Sequence, residues 1–147
     1  MGALTDVIAD DARRRAVCDD GVEAIKAEVK SKKGLTGVAV KAGFKAVQGV
    51  KPGFVPMALN HLLDDFAAQI DPFYDEWKAS GSGTLKAYFT AHDKKIANAL
   101  LSITDERGKN AKSRTVAKAY QKLRPQAVNH TAAAMPRVAD LVSKHVS

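Results

Sequence analysis

The sequence predicts a single all-α domain of five to seven helices with no β-sheet, and three observations carry that prediction. Apolar residues recur at three-four spacing along almost the whole chain, while alternation at period two is nowhere sustained. The length of 147 residues fits one domain, and no linker is long enough to divide it, so the domain is read as 1–147. The composition, 46% hydrophobic and 27% charged, lies near the globular average and excludes a disordered or fibrous chain.

Each element follows from local signals. Thr5 and Asp6 can start a first helix whose stripe runs Leu4, Ile8, Cys18, Val22, Ile25 and Val29. Asp11 and Arg15 interrupt that stripe, and Asp20-Gly21-Val22-Glu23 has the form of a capping box, which predicts a break there. A second helix is expected from about Thr36 to Val50, stopping before Pro52-Gly53. Pro56 suits the first turn of a third, with Leu59, Leu62, Leu63, Phe66 and Ile70 on one face and Asp71-Pro72 as its end. A short turn through Phe73, Tyr74 and Trp77 should follow.

Ser80-Gly81-Ser82-Gly83 is the clearest loop. Beyond it, a fourth long helix places Leu85, Phe89, His92, Ile96, Leu100 and Ile103 on one face and ends at Gly108. Asn110 can cap a fifth through Arg124, and Pro125 and Pro136 punctuate the remainder into two shorter pieces. The expected core draws on Ile25, Val29, Phe44, Val47, Leu59, Leu62, Leu63, Phe66, Ile70, Phe89, Ile96, Leu100, Ile103, Tyr120 and Leu123.

Several function classes lose their footing at once. The one cysteine, Cys18, excludes an intramolecular disulfide and any multi-cysteine metal site. No apolar run approaches the roughly 18 residues of a membrane span, and the N-terminus has no signal-peptide apolar region. Gly2 lacks the Ser or Thr that myristoylation requires at position six, which is Asp6. The expectation is a soluble, cytoplasmic protein. Gly34-x-x-Gly37 and Gly49-x-x-x-Gly53 lack the strand and Lys-Ser/Thr of a phosphate loop, and there is no Gly-x-Ser-x-Gly elbow. No catalytic residue, cofactor or metal site is assigned.

Charge is the feature with functional content. The net charge is +7, unevenly placed. Residues 1–106 carry 14 Lys+Arg against 15 Asp+Glu, whereas residues 107–147 carry 9 basic residues against Asp140 alone. An acidic run, Asp64, Asp65, Asp71, Asp75 and Glu76, precedes Lys78. Such asymmetry makes a local field that attracts polyanions, the chain's own acidic run, or that of another copy.

The basic helix focuses this reading. Arg114, Lys118 and Lys122 recur every fourth residue and stack along one stripe, with Val116, Tyr120 and Leu123 opposite. Arg107, Lys109 and Lys112 lie just before it, and Arg124 ends it. A stripe of this kind can contact successive phosphates. It can equally be the solvated face of an amphipathic surface helix.

Other constellations read more simply as structure. Lys41, Lys45 and Gln48 form a narrow polar stripe after the Lys30, Lys32, Lys33 cluster, as in an interfacial membrane helix or a covered central helix. Ala39, Ala42, Gly43 and Ala46 would let a neighbour approach and favour the covered reading. His92 on an apolar face reads as a core histidine, His61 as a surface partner of Asp64 and Asp65, and His145 as part of a frayed end. Asp71 to Trp77 could clamp a cationic or flat ligand, but reads better as a packed aromatic corner. Cys18, near Arg13, Arg14 and Arg15, reads as an inert core thiol. Pro56-Met57-Ala58-Leu59-Asn60-His61 echoes Pro125-Gln126-Ala127-Val128-Asn129-His130, each at an expected helix start, and is read as coincidence.

The leading expectation is a non-enzymatic binding protein whose basic face (Arg107, Lys109, Lys112, Arg114, Lys118, Lys122, Arg124) contacts a polyanion, nucleic acid first among them. The alternatives are self-association of the acidic run 64–76 with the basic helix of another copy, and peripheral attachment to an anionic membrane. An enzyme with a pocket that no linear motif reveals also stays open.

Overall fold

A computed structural model describes residues 2–146. Eight helices and no strand occur among them: α1 (Ala3–Ile8), α2 (Asp11–Ser31), α3 (Gly34–Gln48), α4 (Phe54–Ser80), α5 (Leu85–Ala91), α6 (Asp93–Lys109), α7 (Arg114–Ala133) and α8 (Met135–Val146). The all-helical class holds; the count exceeds five to seven because two expected helices are each divided. The first divides at Ala9-Asp10, where the Asp10 carboxylate accepts from Arg13 N at 2.9 Å and caps α2. The fourth divides at His92, which ends α5 and begins α6.

Three expected boundaries are absent, each for a tertiary reason. α2 runs unbroken through Gly21, where a Cβ would lie 2.8 Å from Leu59 Cδ2; the glycine serves a close approach of α4. Asp20 turns away from any capping role and bonds Lys144 and His145 instead. α4 continues through Pro72, although proline removes one helical hydrogen bond. Buried Ile70 and Asp71 precede that proline, and Phe73, Tyr74 and Trp77 pack on the core after it, so both halves stay anchored. α7 likewise passes through Pro125. Its cap is Ser113, which accepts from Val116 N, whereas Asn110 ends α6. Pro125 is therefore inside a helix while Pro56 opens one, so the six-residue echo marks unlike positions.

The core lies where α1, α5 and α8 meet α2, α4 and the start of α6. Its largest fully buried side chains are Phe89, Leu4, Ile96, Met135, Val17 and Val142. Of the residues expected there, Leu63, Ile70, Phe89 and Ile96 are buried. Phe44, Val47, Leu62, Ile103, Tyr120 and Leu123 are half-buried instead, as are Ile25, Val29, Leu59, Phe66 and Leu100. The two chain ends supply much of the unexpected part through Leu4, Val7, Ile8, Met135, Ala139 and Val142, with Val17, Ala67 and Leu85 adding to it.

One buried carboxylate ties the ends of this core together. Asp71, 5% exposed, accepts from Leu4 N at 2.8 Å, from Thr5 N at 3.1 Å and from Thr5 Oγ1 at 2.5 Å. It caps α1 from across the fold, satisfying N–H groups that a six-residue helix cannot bond internally. The Asp71–Trp77 segment is thus helical and structural. Trp77 Nε1 donates to Gly83 O at 3.2 Å, Tyr88 Oη donates to Glu76 at 2.9 Å, and the Tyr74 and Trp77 rings lie 5.5 Å apart.

Candidate functional site: a basic helix pair beside an apolar cavity

The seven basic residues divide into two groups by what they touch. Arg124 makes a two-pronged pair with Asp105, at 2.8 and 3.1 Å, and Tyr120 Oη also donates to that carboxylate. These bonds hold Asp105 below the usual carboxylate range, with the Arg124 guanidinium as the largest cause. Arg107 reaches Asp65 at 3.0 Å, so the acidic run and the basic segment already meet inside one chain. Lys109 lies 3.8 Å from Glu106 on its own helix. Lys112, Arg114, Lys118 and Lys122 are exposed and make no ion pair among the described residues. The stripe of Arg114, Lys118 and Lys122 therefore exists as expected, whereas Arg107 and Arg124 are committed to fastening α7 and α6 in place.

The neighbouring helix also lacks acidic residues. α3 packs against α7, and a Cβ on Gly43 would lie 2.7 Å from Leu123 Cδ1, so the small residue sets how close the two come. No Asp or Glu occurs in either helix, nor anywhere from 29 to 63 or from 107 to 139. Lys41 and Lys45 are exposed on α3. Covering of this helix is only partial, because Leu35 is 91% exposed and Val38 67%.

Most carboxylates of the acidic run are engaged within the chain, Asp75 excepted. Arg14 bonds Asp64 at 2.8 Å, which lowers the Asp64 carboxyl. Asp64 and Asp65 thus pair with Arg14 and Arg107, and no bond to the His61 side chain forms. His92, half-buried at a helix junction, stacks on Tyr88 at 4.4 Å and is not a mid-helix core residue. His145 is not frayed: its Nε2 lies 2.7 Å from Asp20 Oδ2, and its carbonyl accepts from Arg13. Cys18 is buried and bonds Pro56 O, and desolvation pushes its thiol up, which makes it a poor nucleophile.

Behind the α3–α7 pair lies a feature with no linear signature. An apolar cavity of about 330 Å³ opens between α2, α3, α4, α6, α7 and α8, lined by Ile25, Val29, Leu59, Phe66, Leu100 and Leu141 among others. These are largely the residues that the sequence assigned to the core and the structure leaves half-buried. A polar cluster closes one side. Glu28 bonds Lys32 at 2.6 Å and Arg137 at 2.9 Å, and Lys32 Nζ also donates to His130 O at 3.3 Å. Burial alone would raise the Glu28 carboxyl, but the bonds from Lys32 and Arg137 together hold it low. Burial, and then Lys32, push the His130 imidazole below its ordinary value.

The profile of a family of unknown function, DUF6918, matches residues 4–146. The chain belongs to that family. Its match spans every helix of the fold almost end to end, so the α3–α7 pair and the cavity both lie inside the shared region. No curated protein and no solved structure matches the chain. Among the described residues no group of three or more His, Cys, Asp or Glu side chains comes together, and no helix is long and apolar enough to cross a membrane.

Proposed function

We propose that this DUF6918 protein binds a polyanion, nucleic acid first, on the surface formed by α3 and α7. The observation that carries the proposal is the adjacency of two helices that contain no acidic residue, with Lys112, Arg114, Lys118 and Lys122 free of ion pairs among the described residues. Unneutralised cations spaced along one helix are what a phosphate backbone can engage, and each contact releases counterions. Arg107 and Arg124 act as positioning residues, since their guanidinium groups are held on Asp65 and Asp105. Lys109 sits at the edge of the surface.

The test is a titration of labelled duplex DNA and single-stranded RNA with wild type and with the Arg114→Glu/Lys118→Glu/Lys122→Glu variant. Wild-type affinity should fall by orders of magnitude between about 50 and 200 mM salt. The triple variant should lose binding while keeping its helical circular dichroism. Undiminished binding by that variant would move the site elsewhere.

A second reading rests on Leu35 and Val38, which stand exposed on α3 near Lys33, Lys41 and Lys45. Apolar side chains among lysines suit an anionic membrane surface. That reading requires flotation with anionic but not neutral liposomes, lost in a Leu35→Ser/Val38→Ser variant. Self-association has less support, because Asp64, Asp65 and Asp71 of the acidic run are already bonded within the chain.

A further inference from the structure

The apolar space of about 330 Å³ is a cleft partly open to solvent, and apolar clefts of this size are where small ligands bind. Size narrows the choice. At the roughly 30 Å³ that a water-sized group takes in a liquid, the space holds on the order of ten methylene-sized groups. An α-helix of a partner, about 10 Å across with its side chains, is too large for it. The lining is mostly carbon, from Ile25, Leu59, Phe66 and Leu100 among others, which suits an alkyl chain.

The wall supplies the second constraint. Lys32 and Arg137 both line the cavity, where Glu28 is the one carboxylate among the lining residues; Arg137 also borders an open cleft that Glu23 and Asp140 share. Lys32 spends two of its three donors on Glu28 and on His130 O. Arg137 bonds Glu28 through Nε, which leaves its Nη hydrogens without a partner among the described residues. Within the cavity lining, two cations thus stand against one carboxylate, with spare donors at the edge of a hydrocarbon-lined space. A cationic head would be repelled there, and a neutral chain would leave the donors unused.

We propose that the cavity binds a single-chain amphiphile with an anionic head, a fatty carboxylate, whose tail lies among Ile25, Leu59, Phe66 and Leu100 and whose head meets Arg137 and Lys32. This site is separate from the proposed nucleic-acid surface, since Arg114, Lys118 and Lys122 do not line it.

Calorimetric titration of the full chain near neutral pH, below micelle concentrations, tests the assignment with dodecanoate, dodecanol and dodecyltrimethylammonium. Dodecanoate should bind saturably with one-to-one stoichiometry, at least about tenfold more tightly than the ammonium. Arg137→Gln should weaken dodecanoate by at least about tenfold while leaving dodecanol unchanged. Leu100→Trp, which fills the space, should abolish binding of both. The Arg114→Glu/Lys118→Glu/Lys122→Glu variant should bind dodecanoate like wild type, so failure of the nucleic-acid reading and failure of this one are distinguishable. No saturable dodecanoate binding by folded wild type, or equal affinity for the carboxylate and the ammonium, overturns the proposal. So does an Arg137→Gln variant that binds all three ligands as wild type does, whatever the fate of Leu100→Trp.

Discussion

The half of the molecule built on α1, α5 and α8 and the half built on α3 and α7 solve opposite problems. In the first, Phe89, Ile96, Met135 and Val142 are fully buried, Asp71 caps α1, and surface charges find partners, as in Arg14–Asp64, Lys86–Asp140 and Lys144–Asp20. In the second, aromatic and aliphatic side chains are only half-covered, a cavity lies behind the helices, and lysines stand without ion pairs among the described residues. The difference shows where stability and chemistry reside. Local violations of good packing and charge balance collect where function is expected, and the opposite half supplies the stability they require.

The comparison is broken most directly at the two phenylalanines. Phe89→Ala should cost about 3–5 kcal/mol by opening a cavity in a filled core. Phe44→Ala on half-covered α3 should cost about 1 kcal/mol, since much less surface returns to water. Equal costs in chemical denaturation would erase the distinction between the halves. Asp71→Ala comes next, at about 2 kcal/mol, because Leu4 and Thr5 lose their acceptor. Asp71→Asn, retaining one acceptor oxygen, should fall between that variant and wild type.

A pH titration of stability sharpens the contrast further. His130 at the cavity is held below its ordinary value, so the folded state resists a proton that the unfolded chain accepts near about pH 6.5. The unfolded state then binds more protons as pH falls through that region, and stability declines with it. His130→Gln should remove this step and leave a second one below about pH 4, where Asp20, Asp64 and Asp105, all held low by cationic partners, become protonated. A single transition near pH 4 in wild type would contradict the first step. The smallest effect belongs to Leu35→Ser and Val38→Ser, each within about 0.5 kcal/mol, because both side chains stay largely exposed in the fold.

Much of this was legible in the sequence, and the rest was hidden for physical reasons. Three-four periodicity placed most of the helices and the stripe of Arg114, Lys118 and Lys122, and the glycines placed the loop that follows Ser80, all of which depend on near neighbours. Asp71 could not be recognised as a cap, because its partners lie 66 and 67 residues away. Gly21 looked like a break signal until Leu59 was seen against it. Pro72 and Pro125 looked like stops, since tertiary anchoring of both flanks has no linear mark. The cavity was the least legible of all: apolar periodicity identifies the side chains that turn inward, but not whether they meet there. The pairing of Arg107 and Arg124 with Asp65 and Asp105 likewise needed the fold.

Hydrogen exchange of the native protein, alone and with duplex DNA at low salt, tests the division of labour and the binding face together. In the free protein, amides of α3 and of residues 114–124 should exchange faster than those of α5, α8 and the second half of α4. Added duplex should slow exchange along α3 and residues 114–124 and leave α5 and α8 unchanged. Uniform exchange in the free protein, or protection by duplex centred on α5 and α8, would contradict the account.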